Sequence, residues 1–301
     1  MNVPDNVNFQ KIFLQQIKAD WLIENNVELN VLRLDEIHPI ISGTKFFKLK
    51  YYLKDAQDKG FSAIASFGGA YSNHIVALAF ACRNAGFKSV GIIRGEKPKQ
   101  LSSTLLNAKE SGMQLHFVSR IDYLNKNNIK QNFKNIYWIE EGGYGTLGAQ
   151  GASEIIKCVK DFPQYTHIIC AVGTGTTLAG LIQTSSSNQK VIGVSVMKNN
   201  YELQQKIQQL LNKKDRKKSF TVLHNFHFGG YGKCTNKLID FMHELQQQHQ
   251  LPTDFVYTAK AFYAAKQIII NKIIPSNSRV LFIHTGGLQG NSSLPFIIII
   301  S

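Results

Sequence analysis

Acidic residues are scarce in this chain of 301 residues: 20 Asp and Glu face 34 Lys and Arg, a formal net charge of +14. That balance favours an anionic partner, whether nucleic acid, a membrane surface, a phosphorylated cofactor or a carboxylate substrate. Charge alone does not choose among them. Cysteine is also sparse. Cys82, Cys158, Cys170 and Cys234 form no CxxC pair and stand near no metal-spaced histidine. Zinc-finger spacing is therefore excluded, and reduced thiols of a cytoplasmic protein are expected. No apolar run reaches membrane-spanning length, and the opening MNVPDNVNFQKIF lacks the apolar stretch of a signal peptide, so no membrane role is expected. The closing run from Phe296 to Ile300 is too short to cross a bilayer and reads as a terminal strand or packed tail. Repeats, collagen and coiled-coil patterns are missing too. The densest basic run, Lys213 to Lys218, follows a Gln-rich, helix-like stretch without interleaved aromatics. It reads as a solvated helix end and loop, and no nucleic-acid partner is expected.

What the chain does have is 44% hydrophobic residues, enough to bury a core in each of about two domains, which excludes a disulfide miniprotein and a disordered tail. Strand and helix patterns alternate over most of the length, the mark of α/β proteins with parallel sheets covered by helices. A helix over 46–59 places Leu49, Tyr52, Leu53 and Ala56 on one face and stops at Gly60. Strand 62–66, a glycine-containing turn, helix 74–85, strand 90–94, helix 103–111, strand 114–118 and strand 136–139 make one unit. A second series has a helix over 152–159, strand 168–172, helix 178–184, strand 191–196 and a late strand at 279–284. Strand 31–34 fits either unit, and the glycines from Gly142 to Gly151 form a candidate hinge between them.

Three segments carry chemistry. Strand, Gly173-Thr174-Gly175-Thr176-Thr177, helix lets backbone amides and hydroxyls converge on an anion at a helix N-terminus. It is neither a Walker loop nor a complete dinucleotide fingerprint, because Leu178 replaces the third glycine and no acid ends the next strand. A plain tight turn is the alternative. Ser66-Phe67-Gly68-Gly69-Ala70-Tyr71-Ser72-Asn73-His74 lies at another strand-to-helix junction. Capping explains Ser72 or Asn73 but not Ser, Asn and His together, which can meet a ligand at the sheet's C-terminal edge. In Gly43-Thr44-Lys45-Phe46-Phe47-Lys48 a lysine precedes an amphipathic helix; solvated charge is the ordinary role of such a residue.

Together, SGTKFFKLKYYL, FGGAYSNH and VGTGTTLAG resemble the lysine, asparagine and phosphate segments of pyridoxal phosphate enzymes of the tryptophan synthase β fold type. Gly230-Tyr231-Gly232 and Thr253-Asp254-Phe255-Val256-Tyr257-Thr258-Ala259-Lys260 agree, and the set is similar to the 1-aminocyclopropane-1-carboxylate deaminase and D-cysteine desulfhydrase group from about residue 32 to 290. The resemblance implies two three-layer, open, twisted, mainly parallel α/β domains, a small one over 48–149 and a large one from 1–47 plus 150–301. It implies that Lys45 forms the Schiff base with pyridoxal 5'-phosphate and then moves a proton at the substrate α-carbon. Asn73 would meet the phenolic oxygen, and Gly173, Thr174, Gly175, Thr176 and Thr177 the phosphate. Ser72, Asn73 and His74 would bind the substrate carboxylate, with Ser72 also a proton-transfer candidate. Tyr231 and Tyr257 match the two active-site tyrosines.

Two positions bear on the reaction. The deaminase branch has a glutamate after the second tyrosine and a leucine before the late glycine pair, where this chain has Thr258 and Thr285. A hydroxyl beside the ring nitrogen is compatible with a neutral ring and weaker activation, which suits expulsion of thiolate better than cyclopropane opening. Thr44 also departs from the asparagine usual there. The expectation is D-cysteine desulfhydrase-type β-elimination to pyruvate, ammonia and sulfide by a cytoplasmic homodimer. The alternatives are the ring-opening deaminase and a basic nucleotide-binding or nucleic-acid-binding protein using the GTGTT turn.

Overall fold

The computed structural model describes residues 8–294, so the expectation for 296–300 lies outside the described residues. The chain runs β1 (Leu14–Ile17), α1 (Asp20–Glu24), β2 (Glu28–Arg33), α2 (Thr44–Asp58), β3 (Ala63–Gly68), α3 (Asn73–Ala85), β4 (Lys88–Arg94), α4 (Ser103–Glu110), β5 (Met113–Val118), α5 (Lys126–Gln131) and β6 (Tyr137–Ile139). It continues through α6 (Thr146–Ser153), β7 (His167–Val172), α7 (Thr176–Thr184), β8 (Lys190–Ser195), α8 (Leu203–Gln209), β9 (Phe220–Leu223), α9 (Asn236–His249), α10 (Thr258–Ile270) and β10 (Arg279–His284).

These strands form two sheets. One has the order β5-β4-β3-β6 and is parallel throughout; the other has the order β1-β2-β10-β7-β8-β9 and is parallel except for the β1–β2 pair. The class is α/β, as the alternation predicted. In β7 the sequence HIICAV is buried at every position, the pattern of a strand covered on both faces. Its side chains divide by the period of two. Ile168, Cys170 and Val172 join a core with α6, α7 and α8, whereas Ile169 and Ala171 join one with α9 and α10. The smaller sheet is covered likewise: Ile64 and Ile93 pack with α3, and Phe67 and Ile92 with Tyr123 and Ile129. Each sheet is thus the middle of three layers, and the two C-terminal sheet edges carry the candidate site.

Two expectations change. The helix placed at 152–159 instead begins at Thr146, and Glu154–Cys158 is a separate 3-10 turn. Most of the expected hinge, from Thr146 to Gly151, is therefore helix. Gly151 is there because α6 presses on α2: a Cβ at that position would lie 1.9 Å from the Phe47 carbonyl oxygen. Close approach, not flexibility, selects Gly151 and also Gly148, where a Cβ would lie 2.3 Å from the Gly143 carbonyl oxygen, and only Gly142, Gly143 and Gly145 sit in a turn, all with positive φ. The basic run is mostly solvated, as expected, but Lys218 pairs with buried Asp215 at 2.8 Å and donates to the Ile182 and Gln183 carbonyls near the end of α7. The four cysteines are free thiols. Among the described residues no helix is long and apolar enough to cross a membrane.

Candidate active site

Lys45 is the second residue of α2. Gly43 delivers it there from a left-handed conformation (φ 67°), and a Cβ on Gly43 would lie 2.0 Å from the Thr285 carbonyl oxygen. That same carbonyl accepts from Thr44 N at 3.3 Å and from Lys45 Nζ at 3.1 Å. The amine also lies 5.8 Å from the centre of the Tyr257 ring. Burial lowers its pKa to about 8, with the Asp254 carboxylate acting in the opposite direction. A substantial neutral fraction near pH 8 makes this lysine a competent nucleophile and base.

Lys48, one helical turn on, is not marked as functional in the sequence, although its spacing puts it on the same face. It is buried and donates to the Gly142 carbonyl at 2.8 Å. Burial first, and the Lys45 charge second, lower its pKa to about 7. Gly142 in turn abuts Thr174, since a Cβ there would lie 2.8 Å from the Thr174 methyl. Lys48 therefore stands beside the glycine and threonine turn.

That turn joins β7 to α7. Gly175 (φ 92°) takes the N-cap position without a side-chain cap, so no side chain satisfies the helix's first amides. Thr174 and Thr176 hydroxyls are 3.1 Å apart, and Thr177 donates to Thr44 at 3.4 Å. Gly173 leaves room for Tyr257, whose ring carbon would be 3.3 Å from an added Cβ. Open amides, hydroxyls and a buried lysine converge on one place, the donor set of an anion cradle.

At the end of β3 the chain turns through Gly68, where a Cβ would lie 2.7 Å from Ser72 Oγ, and enters α3. Ser72 caps the helix, accepting from Ile75 N at 3.3 Å. Asn73 Nδ2 donates to the Gly287 carbonyl at 3.4 Å, leaving a buried Oδ1 without a partner. Such an orphan is costly unless a ligand supplies a donor, as a phenolic hydroxyl does. His74 points elsewhere: its Nε2 pairs with Ser66 Oγ at 2.8 Å, and burial, then Lys48 and Lys45, lower its pKa to about 3. Its ring is a neutral structural group held by Ser66 on β3.

Tyr257 and Tyr231 meet edge to face, with ring centres 6.0 Å apart and hydroxyls 3.4 Å apart. Burial, and then Tyr231, hold the Tyr257 hydroxyl protonated. The two threonines part company. Thr258 is fully buried; its hydroxyl donates to Asp254 Oδ1 and accepts from Asp254 N, each at 2.7 Å. Asp254 also accepts from the Val256, Tyr257 and Thr258 amides at 3.0, 2.8 and 3.0 Å and so caps α10. The Thr285 hydroxyl has no protein partner among the described residues. In the sequence, an acid just ahead of a helix is the signal that marks Asp254 as a cap.

The chain matches the family described as pyridoxal-phosphate dependent enzyme over residues 21–286. A Thermotoga maritima protein named "Putative 1-aminocyclopropane-1-carboxylate deaminase" is 31% identical over 86% of this chain and 88% of its own. A mitochondrial protein of Arabidopsis thaliana, named a bifunctional D-cysteine desulfhydrase/1-aminocyclopropane-1-carboxylate deaminase, is 27% identical over 89% of this chain and 74% of its own. The solved structure of an ACC deaminase homologue superimposes with a TM-score of 0.81 at 23% identity, covering 96% of this chain and 92% of that one, and shows the same fold. The geometry fits the group these proteins share. The uncapped turn suits a phosphate, the orphaned Asn73 oxygen a phenol, and the Lys45 amine an aldehyde.

Proposed function

This chain belongs to the family of pyridoxal-phosphate dependent enzymes, and we propose that it is a lyase performing β-elimination on a small amino acid, D-cysteine foremost, with release of pyruvate, ammonia and sulfide. The observation that carries the reading is the Lys45 amine, its pKa lowered to about 8 and set between the Thr285 carbonyl and the Tyr257 ring. In this reading Lys45 holds the cofactor, the turn from Gly173 to Thr177 and Lys48 hold its phosphate, and Asn73 meets its phenolic oxygen. Thr285 faces the ring nitrogen, because the Thr258 hydroxyl is committed to Asp254. Bound there, pyridoxal phosphate supplies an electron sink for charge developing at the substrate α-carbon.

The protein's own groups do the rest. Lys45 Nζ, when neutral, takes the α-proton, and Ser72 Oγ is the second group placed to carry it. The substrate carboxylate sits against the start of α3, held by Ser72, Asn73 and the His74 backbone. Tyr231 and Tyr257 close over the reacting amino acid and exclude water. A hydroxyl rather than a carboxylate at the ring nitrogen activates the α-carbon less, which favours loss of a thiolate.

Incubating the holoenzyme with D-cysteine, L-cysteine, D-serine and 1-aminocyclopropane-1-carboxylate tests this reading. Pyruvate with equimolar sulfide from D-cysteine is expected. Production of 2-oxobutanoate from the cyclopropane without sulfide would assign the ring-opening reaction instead, the other activity in the name of the Arabidopsis relative. The same proposal includes a homodimer, a small unit over 48–149 with the rest as the large unit, and a cytoplasmic setting suited to four unpaired thiols. Light scattering of the purified protein checks the dimer.

A further inference from the structure

Tyr231 is carried by a loop that has little else to fix it. Phe228, Gly229, Gly230 and Gly232 all have positive φ (48, 92, 119 and 65°), and Gly229, Tyr231, Gly232 and Lys233 are exposed. The loop's own backbone bonds are local: Gly230 N to the His227 carbonyl at 3.0 Å, and Lys233 N to the Gly230 carbonyl at 3.2 Å. Phe228 anchors one end by packing edge to face on Tyr263. Gly229 N also donates to the ring Nδ1 of the neighbouring His227 at 3.1 Å, and beyond these bonds to His227 one hydrogen bond, among the described residues, reaches the backbone of 228–233 from elsewhere in the fold. Lys260 Nζ donates to the Gly230 carbonyl at 2.8 Å.

Lys260 is fully buried, and Asp254, equally buried, supplies the opposing charge. A buried ammonium is costly unless hydrogen-bonded and countered, so the molecule bears a cost to place this donor there. Lys260 also lies in the first turn of α10, three residues after Tyr257. One end of the tether is thus the helix start that carries Tyr257, and the other is the residue next to Tyr231.

We propose that Lys260 is a positioning residue that fixes Tyr231 against Tyr257 through the Gly230 carbonyl. The inference rests on reading Tyr231 as a substrate contact. Lys260 itself touches neither substrate nor cofactor. Asp254 serves both ends of the arrangement, capping the helix start that carries Tyr257 and countering the charge of Lys260.

The test uses the full-length holoenzyme and two independent readouts. In Lys260→Met, amide hydrogen exchange across 226–234 should speed by about tenfold or more, as expected for loss of a charged hydrogen bond, while α10 and both sheets keep wild-type protection. With D-cysteine, Lys260→Met should lower kcat/KM by about tenfold or more in the wild-type background. In the Tyr231→Ala background the same change should cost less than about twofold, because the ring it positions is gone. If Lys260→Met fails to fold, Lys260→Gln, too short to reach the carbonyl, is read in the same way. Unchanged exchange in the loop, a general rise through α10, or equal kinetic losses in both backgrounds each overturn the proposal. A wild-type enzyme inactive on every substrate tested would sink the function reading alone, and the exchange result would still decide the tether.

Discussion

Replacing Gly43 by alanine probes the contact that sets Lys45 in place. Two costs arise, and they can be separated. An L residue at φ 67° and ψ −140°, outside the left-handed helical well, costs about 1–3 kcal/mol. The new methyl would also lie 2.0 Å from Thr285 O, 2.2 Å from Thr285 C and 2.5 Å from Gly286 N. All three are backbone atoms, so no flexible side chain can yield, and overpacking adds about 1–3 kcal/mol. The sum, about 2–6 kcal/mol, corresponds to a fall in Tm of about 4–12 °C at roughly 2 °C per kcal/mol for a chain of this size. Gly60 is the control: its φ is 71°, but a Cβ there meets nothing within 4 Å. Gly60→Ala should therefore lose only the conformational part, about 2–4 °C. The assay is thermal unfolding of wild type and both variants prepared in parallel, with cofactor absorbance recorded on each. Gly43→Ala should lose more stability and displace Lys45 from the Thr285 carbonyl, weakening the cofactor band. Equal falls for the two variants, with the band intact, would refute the argument that close approach to Thr285 selects this glycine.

Other outcomes follow from the same geometry. If Lys45, once the substrate amine has displaced it from the cofactor, takes the α-proton as proposed, kcat, which reports groups of the enzyme–substrate complex, should rise with pH as that amine loses its proton, through an apparent pKa of about 8. Asp254→Asn removes the charge that raises that pKa, so the limb should move to lower pH by about half a unit; a shift to higher pH contradicts the assignment. Lys48→Met should weaken cofactor retention by about 10–100-fold in equilibrium dialysis, the worth of a charged hydrogen bond to phosphate, and unchanged retention would remove Lys48 from the cradle. Thr258→Val should cost about 1–3 kcal/mol of stability, because Asp254 loses a buried donor. Thr285→Val should instead change the cofactor absorbance and kcat with Tm nearly unchanged; the reverse pattern would exchange their roles.

The alternation of strand and helix was readable because β4 and β7 are continuous apolar runs bounded by turns. β1 and β9 were not assigned. Both are four-residue edge strands with only partial burial, so their pairing is set by the neighbouring strand rather than by their own pattern. α6 was misplaced for a different reason. Its glycines oppose helix formation locally, and the contact with the Phe47 carbonyl that requires Gly151 comes from a helix about a hundred residues earlier. The site divides in the same way. Asn73 and the turn from Gly173 to Thr177 stand at strand-to-helix junctions rich in small residues, and Lys45 follows Ser42-Gly43-Thr44 at a helix start, which mark them in sequence. Lys48 and Lys260 look like ordinary charges in a basic chain. Their roles come from burial against distant backbone, the Gly142 carbonyl 94 residues from Lys48 and the Gly230 carbonyl 30 residues from Lys260. His74 shows the converse, since its place beside Asn73 suggests a ligand contact while Ser66 on the preceding strand claims its ring.

The central claim is that one amine, Lys45 Nζ, carries the cofactor. Reducing the holoenzyme with borohydride, digesting it and mapping the modified peptide by mass spectrometry tests this directly. The account predicts bleaching of the visible absorbance and a phosphopyridoxyl group on Lys45 alone. Attachment at Lys48 or Lys50, or a colourless protein that takes up no pyridoxal phosphate, would contradict it.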